Sequence, residues 1–241
     1  MHRTPEPELM NDPHQVEAYA DADFSGSDAA FLQRFERLCA EHQWEPKTAE
    51  LLVDLGCGPG NISERLAWAF PAARVMGIDA AEAMLAVARR RQRAVANPSP
   101  RVLYAQATLE SLATDGLVRA QLPAGSRAVR GLAVAVLSNS LLHHLHHPQQ
   151  LWEAIRRIAA PGALVLHRDL RRPETPQAAL TLREKHLSSA PEVLRRDYLA
   201  SLHAAFSLDE VRQQLEAAGL EGLQVVSVED RYLDVVGRLP V

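Results

Sequence analysis

Apolar positions change their period along this chain. Residues 51–55 and 74–79 are unbroken apolar runs of strand length, and each leads into a stretch with helical spacing, 61–70 and the Ala-rich 80–96. Runs without alternation suit strands covered on both faces. The rhythm continues through 102–105, a helical or loop stretch at 109–121, a long run at 132–139, a helix at 148–159 and a strand at 163–167. Five strands joined by crossovers predict an α/β fold built on a parallel sheet.

The two ends depart from this rhythm. Polar turns at Asn11-Asp12-Pro13 and Ser25-Gly26-Ser27-Asp28, with helical apolar spacing at Phe31, Leu32, Phe35 and Leu38, predict two leading helices, the second stopped by Pro46. After Asp169 the sequence turns polar; Ala178, Leu180, Leu182 and Leu187 form a helical face, so 173–206 is expected as an insertion of two helices. Ser207 and Glu210 have capping-box spacing ahead of a helix that Gly219 ends. The runs 223–228 and 232–236 predict a closing hairpin. The expected architecture is a single domain over 1–241: an N-terminal helical cap at 1–46, a core at 47–170, an insertion at 171–206, and a helix with hairpin at 207–241. Its sheet would be doubly wound, mostly parallel and seven-stranded, with a C-terminal antiparallel hairpin.

Composition narrows the function. The 241 residues suffice for one large core, and 26 Lys+Arg against 30 Asp+Glu give a formal charge of −4, which disfavours a nucleic-acid partner. Cys39 and Cys57 have no paired spacing, the first eight residues hold no apolar run, and no stretch approaches the roughly 18 apolar residues of a membrane span. No disulfide, secretory signal or membrane partner is expected, and a cytoplasmic setting is.

The chemistry is concentrated in 51–79. A strand runs into Asp54-Leu55-Gly56-Cys57-Gly58-Pro59-Gly60-Asn61 and then a helix, so three glycines stand at the carboxyl end of a strand, where nucleotide ligands bind in open parallel sheets. The next strand ends in Asp79, a carboxylate suited to ribose hydroxyls. A nicotinamide fingerprint needs glycine or alanine at position 61, which is Asn61. The segment Val53-Asp54-Leu55-Gly56-Cys57-Gly58-Pro59-Gly60 instead resembles the first motif of the class I S-adenosylmethionine-dependent methyltransferases, and Gly77-Ile78-Asp79 resembles their ribose-binding acidic motif. Ser138 to Leu145, the turn Ala159-Ala160-Pro161-Gly162-Ala163, and Phe206 to Leu220 resemble later segments of small-molecule members. The resemblance implies a Rossmann-like fold, S-adenosyl-L-methionine as cofactor and methyl transfer by in-line displacement. It implies that Gly56, Cys57, Gly58 and Gly60 lie against the cofactor, with Asp54 holding the methionyl ammonium, Asp79 the ribose, and Ala80 and Asn139 nearby. The family often has an acidic residue after the third strand; here Gln106, Thr108 or backbone groups are left to hold adenine.

Catalytic candidates follow strands four and five: His143, His144 and Asp169, with His143, Arg168 and Tyr19 expected to line the acceptor site. A general base is needed only where the acceptor must lose a proton. His143, His144, His146 and His147 have metal-ligand spacing, yet no cysteine or carboxylate lies within the cluster and Pro148 interrupts it, so no metal is expected. The run Arg89-Arg90-Arg91-Gln92-Arg93 reads as a solvated helix end. Tyr19 to Phe24 reads either as packing or as the inner edge of a lid. Neither cysteine lies near the fourth strand as pyrimidine C5 methylation requires, and Asn139-Ser140-Leu141-Leu142 is not the motif of exocyclic amino methylation. A small-molecule acceptor is the leading expectation; RNA or protein methylation, a non-catalytic cofactor-binding module and a nicotinamide oxidoreductase are the alternatives.

Overall fold

The computed structural model describes residues 1–7, 12–94, 102–120 and 126–241. Three sequence expectations, the turn at Asn11 and the ends of the 80–96 and 109–121 stretches, reach outside them. Strands β1 (Leu51–Leu55), β2 (Arg74–Asp79), β3 (Leu103–Gln106), β4 (Leu117–Ala120), β5 (Ser126–Ala128), β6 (Ala133–Asn139), β7 (Ala159–Leu170), β8 (Gln224–Val228) and β9 (Tyr232–Arg238) form one sheet. Their order is β5-β4-β3-β2-β1-β6-β7-β9-β8. The five central strands β3, β2, β1, β6 and β7 are parallel, and β8 and β9 close one edge as the antiparallel hairpin the sequence predicts. To these seven the structure adds β4 and β5, which extend the other edge antiparallel to β3. They lie in the Arg-containing stretch between Gly116 and Gly131, and are too short to carry a period.

Helices cover both faces. Helices α1 (Pro13–Asp21) and α2 (Ser25–Glu41) precede the sheet; α3 (Asn61–Ala69), α4 (Glu82–Ala94), α5 (Leu109–Thr114) and α6 (Gln149–Ile158) fall between strands; and α7 (Pro176–Leu187), α8 (Glu192–Ala204) and α9 (Leu208–Ala217) follow one another between β7 and β8. Strand β1 shows why its run is unbroken: Val53 and Leu55 join one core cluster with Leu112 of α5, Trp152 of α6 and Val211 of α9, while Leu52 joins a second with Phe31 and Phe35 of α2 and Leu66 of α3. Each fully buried side chain of this size contributes roughly 1.5–3 kcal/mol. Helix α2 ends at Glu41, short of Pro46. Ser207 and Glu210 form the complete capping box. The turn at Pro161-Gly162 lies within β7 as an irregularity in its pairing with β6, with Gly162 at φ 72°.

The order of strands reverses between β1 and β6, since the chain winds outward through β2 and β3 and then returns to β6 and β7. A crevice must open at the carboxyl ends there. The insertion helices α7 and α8 pack Ala179 and Leu202 against Leu170 and Tyr232 beside that crevice, and α1 packs Val16 and Ala20 on Met84 of α4. No helix among the described residues is long and apolar enough to cross a membrane.

Candidate active site

A cleft of about 1210 Å³ occupies the switch point. Its lining brings together Asp54, Gly56, Cys57, Gly58, Asp79, Ala80, Thr108 and Asn139 from the strand ends, His143, His144 and Arg168 from the later strands, and Tyr19 from the cap. Gly60, Gln106 and Asp169 lie outside that lining. Gln106 Nε2 donates to the Ala80 carbonyl at 3.1 Å, while Thr108 caps α5 by accepting from the Ser111 amide.

The glycine turn is shaped by close approach. Gly56, Gly58 and Gly60 have φ of 67°, 53° and 90°, a region in which a Cβ is strained. A Cβ on Gly56 would lie 2.8 Å from Leu141 Cδ1, and one on Gly60 would collide with the Tyr104 hydroxyl. A Cβ on Gly58 would meet no heavy atom within 4 Å; Gly58 lines the cleft, and the open space at this position leaves room for a ligand to approach the backbone closely. Asp79 accepts from the Gly58 amide and from the Ala81 amide, each at 2.8 Å, one on each carboxylate oxygen. Each oxygen keeps a further lone pair for a ribose hydroxyl. Burial raises the Asp79 pKa against the pull of those two amides. Asp54 is almost wholly buried and accepts from the Ser63 hydroxyl at 2.6 Å. Burial pushes its carboxyl up to about 7, with the Ser63 hydrogen bond opposing. Buried carboxylates beside a cleft suit a cationic ligand, so these residues fit a cofactor bearing an ammonium and a ribose.

Asn61 bridges two partners, donating to Asp28 at 3.2 Å and accepting from Arg91 at 2.8 Å. Arg91 also donates to the Ala20 and Pro59 carbonyls, so it clamps α4 onto both the glycine turn and α1. Within the basic run, then, Arg91 is structural rather than solvated. Tyr19 and Phe24 pack with ring centroids 4.8 Å apart while lining the cleft, which joins the packing and inner-edge readings of this segment.

The second group of candidates is organised by Asp169. Its carboxylate accepts from the His143 amide at 3.1 Å and the Leu170 amide at 2.6 Å, and pairs with His143 Nδ1. Burial works against ionisation of Asp169, but His143 beside it carries the pKa down to about 2. Burial likewise disfavours the charged form of His143, and Asp169 overcomes it, so the His143 pKa is raised. Arg168 is spent on Asp234 in a buried bidentate pair at 2.6 and 2.8 Å.

Sequence reasoning missed several residues here. Glu6 pairs with His144 Nδ1 at 3.0 Å and lies 3.4 Å from His143 Nε2. Asp234 neutralises Arg168 from the neighbouring strand, where the two are register partners. Arg231 lines the cleft with a buried Nε that has no hydrogen-bond partner. Ser140, also on the cleft, holds φ 57°, fixed by its amide donating to the Arg168 carbonyl at 2.8 Å.

The fold and the glycine-aspartate geometry are those of a nucleotide-binding transferase. A model of the methyltransferase domain family matches residues 52–162. A trans-aconitate 2-methyltransferase of an Acidovorax species is 32% identical over 221 residues, 80% of each chain. One of Methylobacterium nodulans is 39% identical over 95 residues, a stretch that spans only 37% of that relative's length. Among solved structures, a SAM-dependent methyltransferase from Aquifex aeolicus superposes with a TM-score of 0.63 at 18% identity, covering 95% of this chain and 100% of the other. The chain belongs to the class I S-adenosylmethionine-dependent methyltransferases.

Proposed function

We propose that the protein transfers the methyl group of S-adenosylmethionine to a carboxylate oxygen of a small polycarboxylic acid of the trans-aconitate kind. The observation that carries this reading is the composition of the cleft, where Asp54, Gly58 and Asp79 share one space with His143, His144 and Arg231. The relatives named as trans-aconitate 2-methyltransferases support the acceptor class.

Bound at the glycine turn, the cofactor supplies a methyl group on a sulfonium, already an electrophile. Asp79 would accept the ribose hydroxyls, Asp54 the ammonium, and the bare backbone at Gly58 would let the ligand approach closely. A carboxylate acceptor is ionised at neutral pH, so no base has to remove a proton and the chain's task is to hold the nucleophile in line. His143, whose pKa Asp169 raises against the opposing effect of burial, and Arg231, which lines the cleft, would hold the acceptor's carboxylates. Asp169 acts through His143 as a positioning residue. A second reading rests on the same His143–Asp169 pair, which is oriented as a general base would be and would serve a hydroxyl or amine acceptor.

The test is a methyl-transfer assay with labelled cofactor against tricarboxylates, dicarboxylates, monocarboxylates, amines and alcohols. Turnover should be confined to the acids, with Arg231→Ala raising KM for a tricarboxylate more than for a monocarboxylate. Turnover of amines or alcohols alone would replace the first reading by the second.

A further inference from the structure

The histidine cluster after β6 lacks an acidic ligand in the local sequence, and the fold supplies one from 137 residues away. Glu6 Oε1 lies 3.0 Å from His144 Nδ1 and 3.4 Å from His143 Nε2, and the three ligand atoms all fall within 4.8 Å of one another. Ligands held at about 2.0–2.1 Å from a tetrahedral ion stand roughly 3.3 Å apart, so two of these separations already have the size a shared ion requires. We propose that Glu6, His143 and His144 form a binding site for one divalent transition-metal ion of the zinc class.

The surroundings are built in the way such sites need. His143 turns Nδ1 to Asp169, which fixes the ring and leaves Nε2 facing Glu6, and Asp169 is itself held by two backbone amides. A carboxylate behind a ligating imidazole orients it and raises its basicity. Glu6 accepts from the Ser201 hydroxyl at 3.1 Å. Its backbone is strapped down: the Thr4 amide donates to the His203 carbonyl at 2.9 Å, and Arg3 Nη2 donates to the carbonyls of His143 and Leu145 at 3.0 and 2.9 Å. The Glu6 carbonyl is itself within 2.8 Å of His146 Nε2. Two imidazoles with one carboxylate favour zinc, iron, cobalt or nickel over magnesium and calcium. Three protein ligands leave a fourth position for water or another oxygen. Because His143 and His144 line the cleft, an acceptor carboxylate could take that position. This last step rests on the acceptor reading above; the ion site does not.

The experiment is direct titration of the untagged, chelator-stripped full chain with Zn²⁺ by calorimetry and with Co²⁺ by visible absorption, neither of which involves cofactor or acceptor. One equivalent should bind, Mg²⁺ should give no signal, and Glu6→Gln and His144→Ala should each weaken affinity by about 100-fold or more, beyond the span typical of outer-shell partners. His147→Ala should bind as the parent does. Absence of stoichiometric uptake, or uptake that Glu6→Gln leaves unchanged, overturns the proposal. Should a variant fail to fold by thermal melt, X-ray absorption of the zinc-loaded parent decides: two imidazoles with oxygen support the site, and a sulfur-bearing or all-oxygen shell refutes it. Failure here leaves the acceptor assay standing, and the reverse holds as well.

Discussion

Asp54 should couple cofactor binding to pH. In the free protein its buried carboxyl has a pKa near 7, so about half of the molecules carry it protonated at neutrality. A cofactor ammonium against it favours the carboxylate and pulls that pKa down. The free pKa exceeds the bound one, so affinity is fully present above pH 7 and is lost as pH falls through it, approaching tenfold per unit. Between pH 8 and pH 6 the loss should be roughly tenfold. Above about pH 8 the cofactor's own α-ammonium deprotonates, so affinity should peak between these limits. Asp54→Asn removes the acid limb: binding at pH 8 should weaken by about 10–100-fold, matching a charge-assisted hydrogen bond of 1.5–3 kcal/mol, with far less change at pH 6. The same substitution should stabilise the empty fold at pH 8. Raising a carboxyl from 3.8 to about 7 on folding costs at most about 4 kcal/mol once the group is ionised, and that cost vanishes below the unfolded pKa. Calorimetric titration across pH with thermal melts on the same samples reads both effects. A parent protein whose affinity is flat from pH 6 to 8, or an Asn variant with an unchanged acid limb, would show that Asp54 does not meet the ammonium.

Other outcomes follow from the same geometry. Asp79→Ala should weaken cofactor binding by about 1.5–3 kcal/mol through the loss of charge-assisted hydrogen bonds, read by calorimetry, and binding as tight as the parent's would misplace the ribose. Gly58→Ala should leave a folded protein, strained by about 1–2 kcal/mol at φ 53° though its Cβ meets nothing within 4 Å, and lose cofactor affinity, whereas Gly60→Ala should lower the melting temperature further through its clash with Tyr104. Asp234→Ala strands the buried Arg168 guanidinium and should cost about 3–5 kcal/mol in urea unfolding. Ser207→Ala should cost about 1 kcal/mol by removing the cap of α9.

Local patterns and long-range pairs divide what the sequence could reveal. The β1-turn-α3-β2 segment was readable because its signal is contiguous: Gly56, Gly58 and Gly60 turn the chain at positive φ between strand and helix, and Asp79 bonds the Gly58 amide 21 residues earlier in the chain. The capping box at Ser207 and the two insertion helices were readable for the same reason, since spacing of three or four residues suffices. Strands β4 and β5 were not, because three or four residues hold too few positions to show alternation. Nor were Glu6 at His144 or Asp234 at Arg168, pairs separated by 138 and 66 residues, because nothing local distinguishes a carboxylate destined for a distant cation from one in solvent. The glycine turn and Asp79 thus lie in one contiguous segment and announce themselves, while Arg168 and Arg231 reach the cleft from β7 and the hairpin turn, and Glu6 meets His143 and His144 from the N-terminal arm. Under the acceptor reading proposed above, substitution of Arg231, which lines the cleft, should therefore alter the acceptor side while leaving the glycine turn intact.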